Sequence, residues 1–186
     1  MTETTYYLCQ KPIIGVLMWL SCLCVSNQAL KDGNELDLSK EGLVLQKTIS
    51  IPMNERYDFS VQFEFADAEA YSNDLIGGSV ALSSAAACTD TDIYNRLSQG
   101  EKDRHGANID IRIDIETKSG QLYATTKYQS RCVSGWGDKS KSRGSTAHVA
   151  LAKGTYVLKV VNNSAIPLQK ETKIHGLLTG AGAGFP

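Results

Sequence analysis

The chain has 186 residues, 21% of them charged, and 19 Lys plus Arg against 20 Asp plus Glu leave a net charge of −1. That length suits one domain with a sizeable core. The charge balance excludes a global pull toward nucleic acid or an anionic membrane, and long stretches of apolar and polar alternation argue against disorder.

Pro12 to Val25 (PIIGVLMWLSCLCV) carries no charged side chain. It is shorter than the roughly 20 apolar residues of a membrane span but suits the core of a signal peptide. Lys11 is the one basic residue before it, and Glu3 offsets that charge. Cys24-Val25-Ser26 places small residues at the −3 and −1 positions of a cleavage site. Residues 1–26 are therefore expected to be a signal peptide of an exported, periplasmic protein. The competing reading is a buried first strand or helix. Leu20-Ser21-Cys22 also approaches a lipoprotein signal, with Leu one place too near the Cys. Cleavage and lipidation at Cys22 is thus a second expectation, and it would tether the chain without spanning the membrane.

Cys9, Cys22 and Cys24 fall in that segment, which leaves Cys88 and Cys132 beyond it. A pair in an oxidising compartment reads as a disulfide. The alternative is two buried thiols acting as small apolar groups. No C-x-x-C or Cys/His spacing is present, so no metal and no cofactor is expected.

Residues 27–40 are polar, contain the turn signal Asp32-Gly33-Asn34, and read as a linker. A β-domain is expected over 41–180. Leu43, Leu45 and Ile49 mark a first strand ending near Pro52. Tyr57, Phe59, Val61, Phe63 and Phe65 then alternate with Asp58, Ser60, Gln62 and Glu64, the period of a half-buried strand. Asp90 to Gly100 is the one helical stretch, capped by Asp90 and stopped by Gly100. Ile109, Ile111, Ile113 and Ile115 alternate with Asp110, Arg112, Asp114 and Glu116, and four β-branched residues in register specify a strand. A turn at Lys118-Ser119-Gly120 returns the chain through Gln121 to Ser130. Thr146–Leu151 and Thr155–Val161 flank Ala152-Lys153-Gly154, which reads as a hairpin connection. Thr172–Leu178 supplies a last strand, and 181–186 reads as a flexible Gly-rich tail. The expected fold is an all-β antiparallel sandwich, jelly-roll or immunoglobulin-like, with one short helix.

No nucleophile elbow, phosphate loop or H-E-x-x-H occurs, so no catalytic residue is assigned and a non-enzymatic role is expected. His105, His148 and His175 are dispersed and read as surface or satisfied histidines rather than zinc ligands. The carboxylates opposite the isoleucines can in principle serve glycoside hydrolysis, but alternating charges there are more simply a solvated face. The most suggestive segment is 131–144 (RCVSGWGDKSKSRG). It reads as a loop in which Arg131, Trp136, Lys139, Lys141 and Arg143 form a partner-binding surface. Trp136 would supply apolar area and the lysines and arginine would steer an acidic partner. The bland alternative is that Trp136 folds back to plug one end of the sandwich.

The strand Arg56–Val61, the isoleucine strand and Leu151–Val160 together resemble a family of small exported bacterial proteins of unknown function, each a signal peptide or lipobox followed by one β-sandwich. Proteins of this kind include periplasmic immunity proteins. The resemblance implies a partner-binding role and assigns no residues. The partner is expected to be a protein, a toxin or an envelope component, with carbohydrate as the alternative and nucleic acid excluded.

Overall fold

The structure is a computed structural model that describes residues 28–30, 34–74, 76–81, 86–88, 90–167 and 172–180. The expected signal peptide, Cys22 and the 181–186 tail lie outside the described residues. Nine strands dominate: β1 (Gln28–Leu30), β2 (Gly42–Ile51), β3 (Glu55–Glu64), β4 (Ile109–Thr117), β5 (Leu122–Ser130), β6 (Val133–Trp136), β7 (Ser140–Leu151), β8 (Gly154–Asn162) and β9 (Lys173–Gly180). Three short helices lie between β3 and β4: α1 (Ala68–Ser72), α2 (Thr91–Arg96) and α3 (Gln99–His105). No helix among the described residues is long and apolar enough to cross a membrane.

The strands form two antiparallel sheets, one of five strands in the order β1-β9-β3-β7-β6 and one of four in the order β2-β8-β4-β5. Alternation decides which side chains face between them. Tyr57, Phe59, Val61 and Phe63 of β3 are buried, as are Ile109, Ile111, Ile113 and Ile115 of β4. These meet Leu158 and Val160 of β8 and Tyr128 of β5 in one apolar cluster. Tyr128 stacks edge-on against Phe59 at 5.6 Å between ring centroids, the geometry aromatic quadrupoles favour. Burial pushes its phenol up to about 12, and the hydroxyl donates to the Arg143 carbonyl oxygen at 3.3 Å.

The structure corrects three expectations. The described parts of the expected linker are packed: Gln28–Leu30 forms a strand against β9, and Leu36 and Leu38 are each 1% exposed in the core. Their apolar side chains, spaced by two, insert once Leu36 N–H bonds to the Ile174 carbonyl at 2.8 Å. Ala152–Lys153 does not join a hairpin, because β7 and β8 lie in different sheets. It is a corner, matched by the β2-to-β3 corner, and Lys153 N–H donates to Asn54 Oδ1 at 2.7 Å across the two. The single expected helix is two. Asp90 does cap α2, accepting from the Asp92 and Ile93 amides, but Ser98 and Glu101 form a capping box that starts α3, so Gly100 is helical.

Candidate partner-binding site

Segment 131–144 is a β-hairpin rather than a loop. β6 is an edge strand paired to β7, with Trp136 opposite Lys141 and Val133 opposite Arg143. Directly opposed residues share a face, so these four side chains sit on the side of the sheet that Phe63 and Val61 occupy. Beyond the four-stranded sheet, described residues on that side include Phe65, Tyr71, Asp74, Ile76, Gly77 and His105–Ala107. The positions of Lys141 and Arg143 follow from this: both point inward, into the seam between the sheet and the helical segment.

The expected exposed cationic group is therefore corrected. Arg131, Lys141 and Arg143 are 8%, 6% and 0% exposed, and only Lys139 of the four cations stands in solvent, beside the exposed Asp138. Each buried cation holds one part of the segment between β3 and β4. Lys141 Nζ pairs with Asp74 Oδ2 at 3.0 Å and lies over the Tyr71 and Phe65 rings. Asp74 in turn accepts the Ile76 and Gly77 amides. The Arg131 guanidinium lies 4.7 Å from the Tyr94 ring centroid and donates to Thr91 Oγ1 at 3.0 Å, which fixes α2.

Arg143 is the most committed of the three. Its Nε donates to the Gly77 carbonyl, Nη1 to those of Ser130 and Ala107, and Nη2 to those of Ile76 and His105. Five N–H groups thus meet five backbone carbonyls, of which that of Ile76 also accepts the Ala107 N–H at 3.0 Å. Burial lowers its pKa to about 10. Gly106 explains how the backbone comes so near. Its φ is +75°, and a Cβ there would collide with the Ile76 carbonyl and the Arg143 guanidinium.

Cys88 and Cys132 form the expected disulfide, with Cα atoms 5.6 Å apart and a sequence separation of 44. It fastens the 3-10 turn Ala86–Cys88 to the residue that precedes β6. The buried His105 ring sets Nδ1 3.2 Å from Cys132 Sγ and meets Tyr94 edge-on. Burial, then the Arg104, Arg131 and Arg143 charges, lower the His105 pKa. His105 also lines an open cleft of about 330 Å³ with Ile93, Leu97, Glu101 and Arg104.

Trp136 remains outside this packing. It is 52% exposed at the hairpin tip. The tip itself is braced: Gly137 N–H donates to the Ser140 carbonyl at 2.8 Å and Phe65 N–H to that of Lys139 at 2.9 Å, while Lys139 Nζ reaches the Ala66 carbonyl at 3.3 Å. The plug reading of Trp136 does not hold, since its side chain stands half in solvent.

The remaining candidates are paired with carboxylates or cations, although the Nδ1 of His175 is buried without a hydrogen-bond partner. His148 contacts Asp58 at 2.6 Å and His175 contacts Glu64 at 3.1 Å. Lys127, Arg112 and Lys159 pair with Asp110, Asp114 and Glu116 on the outer face of β4, as a solvated face would.

Two packed antiparallel sheets with a disulfide and a braced tryptophan hairpin define a small all-β sandwich domain. The chain belongs to the family described as a domain of unknown function (DUF5625), whose model matches residues 34–176. A solved structure titled "Crystal Structure of GEBA250068378 from Sulfurospirillum deleyianum" is similar, with a TM-score of 0.56 and 19% identity over 78% of this chain and 94% of that one. At that identity the likeness shows the shared fold. No curated protein matches the chain. Neither the family description nor the neighbour's title names a toxin, an immunity protein or a partner.

Proposed function

We propose that this is an exported binding module that docks a protein partner through Trp136, in the manner of an immunity or inhibitor-like protein that occludes a toxin. The observation that carries this reading is a large aromatic side chain, 52% exposed, on a hairpin whose backbone is braced at the tip. Holding an apolar residue of this size in water is unfavourable in the free protein. Burial against a partner recovers that area, and the braced backbone has little freedom left to lose.

A protein fits the site better than a carbohydrate. Sugar-binding surfaces gather aromatic faces, whereas the exposed Trp136 and Tyr123 lie at opposite ends of the sandwich. Trp136 pairs near the Glu64 end of β3, and Tyr123 follows the β4–β5 turn at the far end. The local charge does not select an acidic partner, because Asp138 offsets Lys139.

The test is capture from an envelope extract by the folded chain and by Trp136→Ala, with the retained protein identified and its affinity measured. A defined protein that binds the wild type and loses about 30-fold with Trp136→Ala, a change of about 2 kcal/mol, supports the site. Toxicity of that protein in cells lacking this chain supports the immunity reading. Equal binding by both proteins sinks the assignment of Trp136.

A further inference from the structure

We propose that the reduced chain holds a soft divalent cation of the zinc type on Cys88 Sγ, Cys132 Sγ and His105 Nδ1. The inference is independent of the Trp136 reading. The three residues are all buried, and their donor atoms lie within 4.8 Å of one another. A tetrahedral zinc with Zn–S near 2.3 Å and Zn–N near 2.05 Å sets sulfurs about 3.8 Å apart and nitrogen about 3.6 Å from each sulfur. The nitrogen is already 3.2 Å from Cys132 Sγ. Rotation about the two Cα–Cβ bonds separates the sulfurs while the Cα atoms stay 5.6 Å apart.

The frame around the donors does not depend on the S–S bond. Arg143 grips the His105 and Ser130 carbonyls, Arg131 grips Thr91 and Tyr94, and Val133 N–H donates to the Val80 carbonyl at 2.9 Å. Three segments distant in sequence therefore stay together when the disulfide opens. Arg104, Arg131 and Arg143 are the cations near His105, with Glu101 opposing them. Cationic surroundings favour thiolates over thiols. Two thiolates and one divalent cation form a neutral unit, so the buried site carries no excess charge. His105 also borders an open cleft, so the imidazole side of the site faces solvent-accessible space.

The chemistry balances. A dithiol reductant gives two electrons and two protons to the Cys88–Cys132 bond, yielding two thiols and its own disulfide. The cation then displaces one proton from each thiol to solvent. Oxidised and metal-bound forms exclude each other, because the same sulfur lone pairs cannot serve both.

The experiment uses the full chain with Cys9→Ser, Cys22→Ser and Cys24→Ser, so that Cys88 and Cys132 are its remaining thiols. The protein is reduced with a phosphine and titrated with Co²⁺ under argon. One equivalent is expected to produce the visible bands of tetrahedral thiolate-bound cobalt, which Zn²⁺ then abolishes. The oxidised protein is expected to give none. His105→Ala should weaken the reduced protein's Co²⁺ affinity by at least the roughly tenfold that loss of an outer-shell partner costs. Circular dichroism follows the fold in parallel. A folded, reduced protein without cobalt bands overturns the proposal, as does unchanged affinity in His105→Ala. If reduction unfolds the chain, Co²⁺ must restore the native spectrum, and its failure to do so is equally decisive.

Discussion

Lys141 and Asp74 are 67 residues apart in sequence, yet their side chains meet at 3.0 Å with 7% and 0% exposure. Losing either leaves a charge buried without its partner, a change that costs about 3–5 kcal/mol. Lys141→Met should therefore lower the urea midpoint strongly. The double variant Lys141→Met, Asp74→Leu should recover part of that loss, because no lone charge remains. A double-mutant cycle with no coupling would show the pair to be incidental.

Arg143 should be less replaceable still. Arg143→Met removes a donor from each of five backbone carbonyls, one of which, that of Ile76, keeps the Ala107 N–H, and a loss of about 3 kcal/mol or more is expected in equilibrium unfolding. Arg143→Lys should not rescue it, since an ammonium has three donors and no planar fork. Stability of the lysine variant within about 0.5 kcal/mol of wild type would contradict the carbonyl count.

Removing the disulfide by Cys88→Ala with Cys132→Ala opens a loop of 44 residues' separation. The chain-entropy model assigns about 4 kcal/mol to a closure of that length. The reduced, metal-free wild type should match the double variant in denaturant. A loss below about 1 kcal/mol would mean that the unfolded chain is already compact enough for the cross-link to restrict it little.

Alkaline stability should carry the signature of Tyr128. Its phenol ionises at about 12 in the folded chain, against 10.0 for an ordinary tyrosine. The folded state thus keeps a proton that the unfolded state has lost. The associated stability is fully present below pH 10 and drains away as pH rises from 10 to 12. Two units correspond to roughly 3 kcal/mol at most. Tyr128→Phe should be the less stable protein at neutral pH by about 1 kcal/mol and should show a shallower loss across that window. Parallel curves would refute the shift.

Trp136→Ala should leave unfolding within about 0.5 kcal/mol of wild type, because the side chain is half in water. This separates it from Arg131, Lys141 and Arg143, whose removal disturbs the fold before any binding is measured. Lys139→Glu should have a small effect on association rate, since steering needs a local field and Asp138 already halves this one.

The sandwich was legible where period two ran without interruption, as in Tyr57–Phe65 and Ile109–Ile115. Hydropathy failed on β7 because Lys141 and Arg143 look like solvent residues. Parity would have found them: counting back by twos from Leu151, Val149 and Ala147 reaches Arg143 and Lys141, all on the inward face. Their partners were out of reach. Nothing local in the sequence says that Asp74 or the Ile76 carbonyl will stand opposite a residue some 67 positions later. The Ala152–Lys153 corner was misjudged for a related reason, since a two-residue link between alternating strands fits both a hairpin and a change of sheet. Cys88 and Cys132 were paired from count alone, whereas the approach of His105 to them depends on where α3 ends.

The position of β9 sets the order of events during synthesis. This strand lies inside the five-stranded sheet, between β1 and β3, although Lys173–Gly180 is the last strand in the chain. Until it arrives, β3 has one neighbour instead of two and β1 has none. Ribosomes add roughly 5–20 residues per second, so the 116 residues from Glu64 to Gly180 take about 6–23 s. Throughout that interval nothing joins β1 to β3, so the five-stranded sheet is completed only by the last of the described strands.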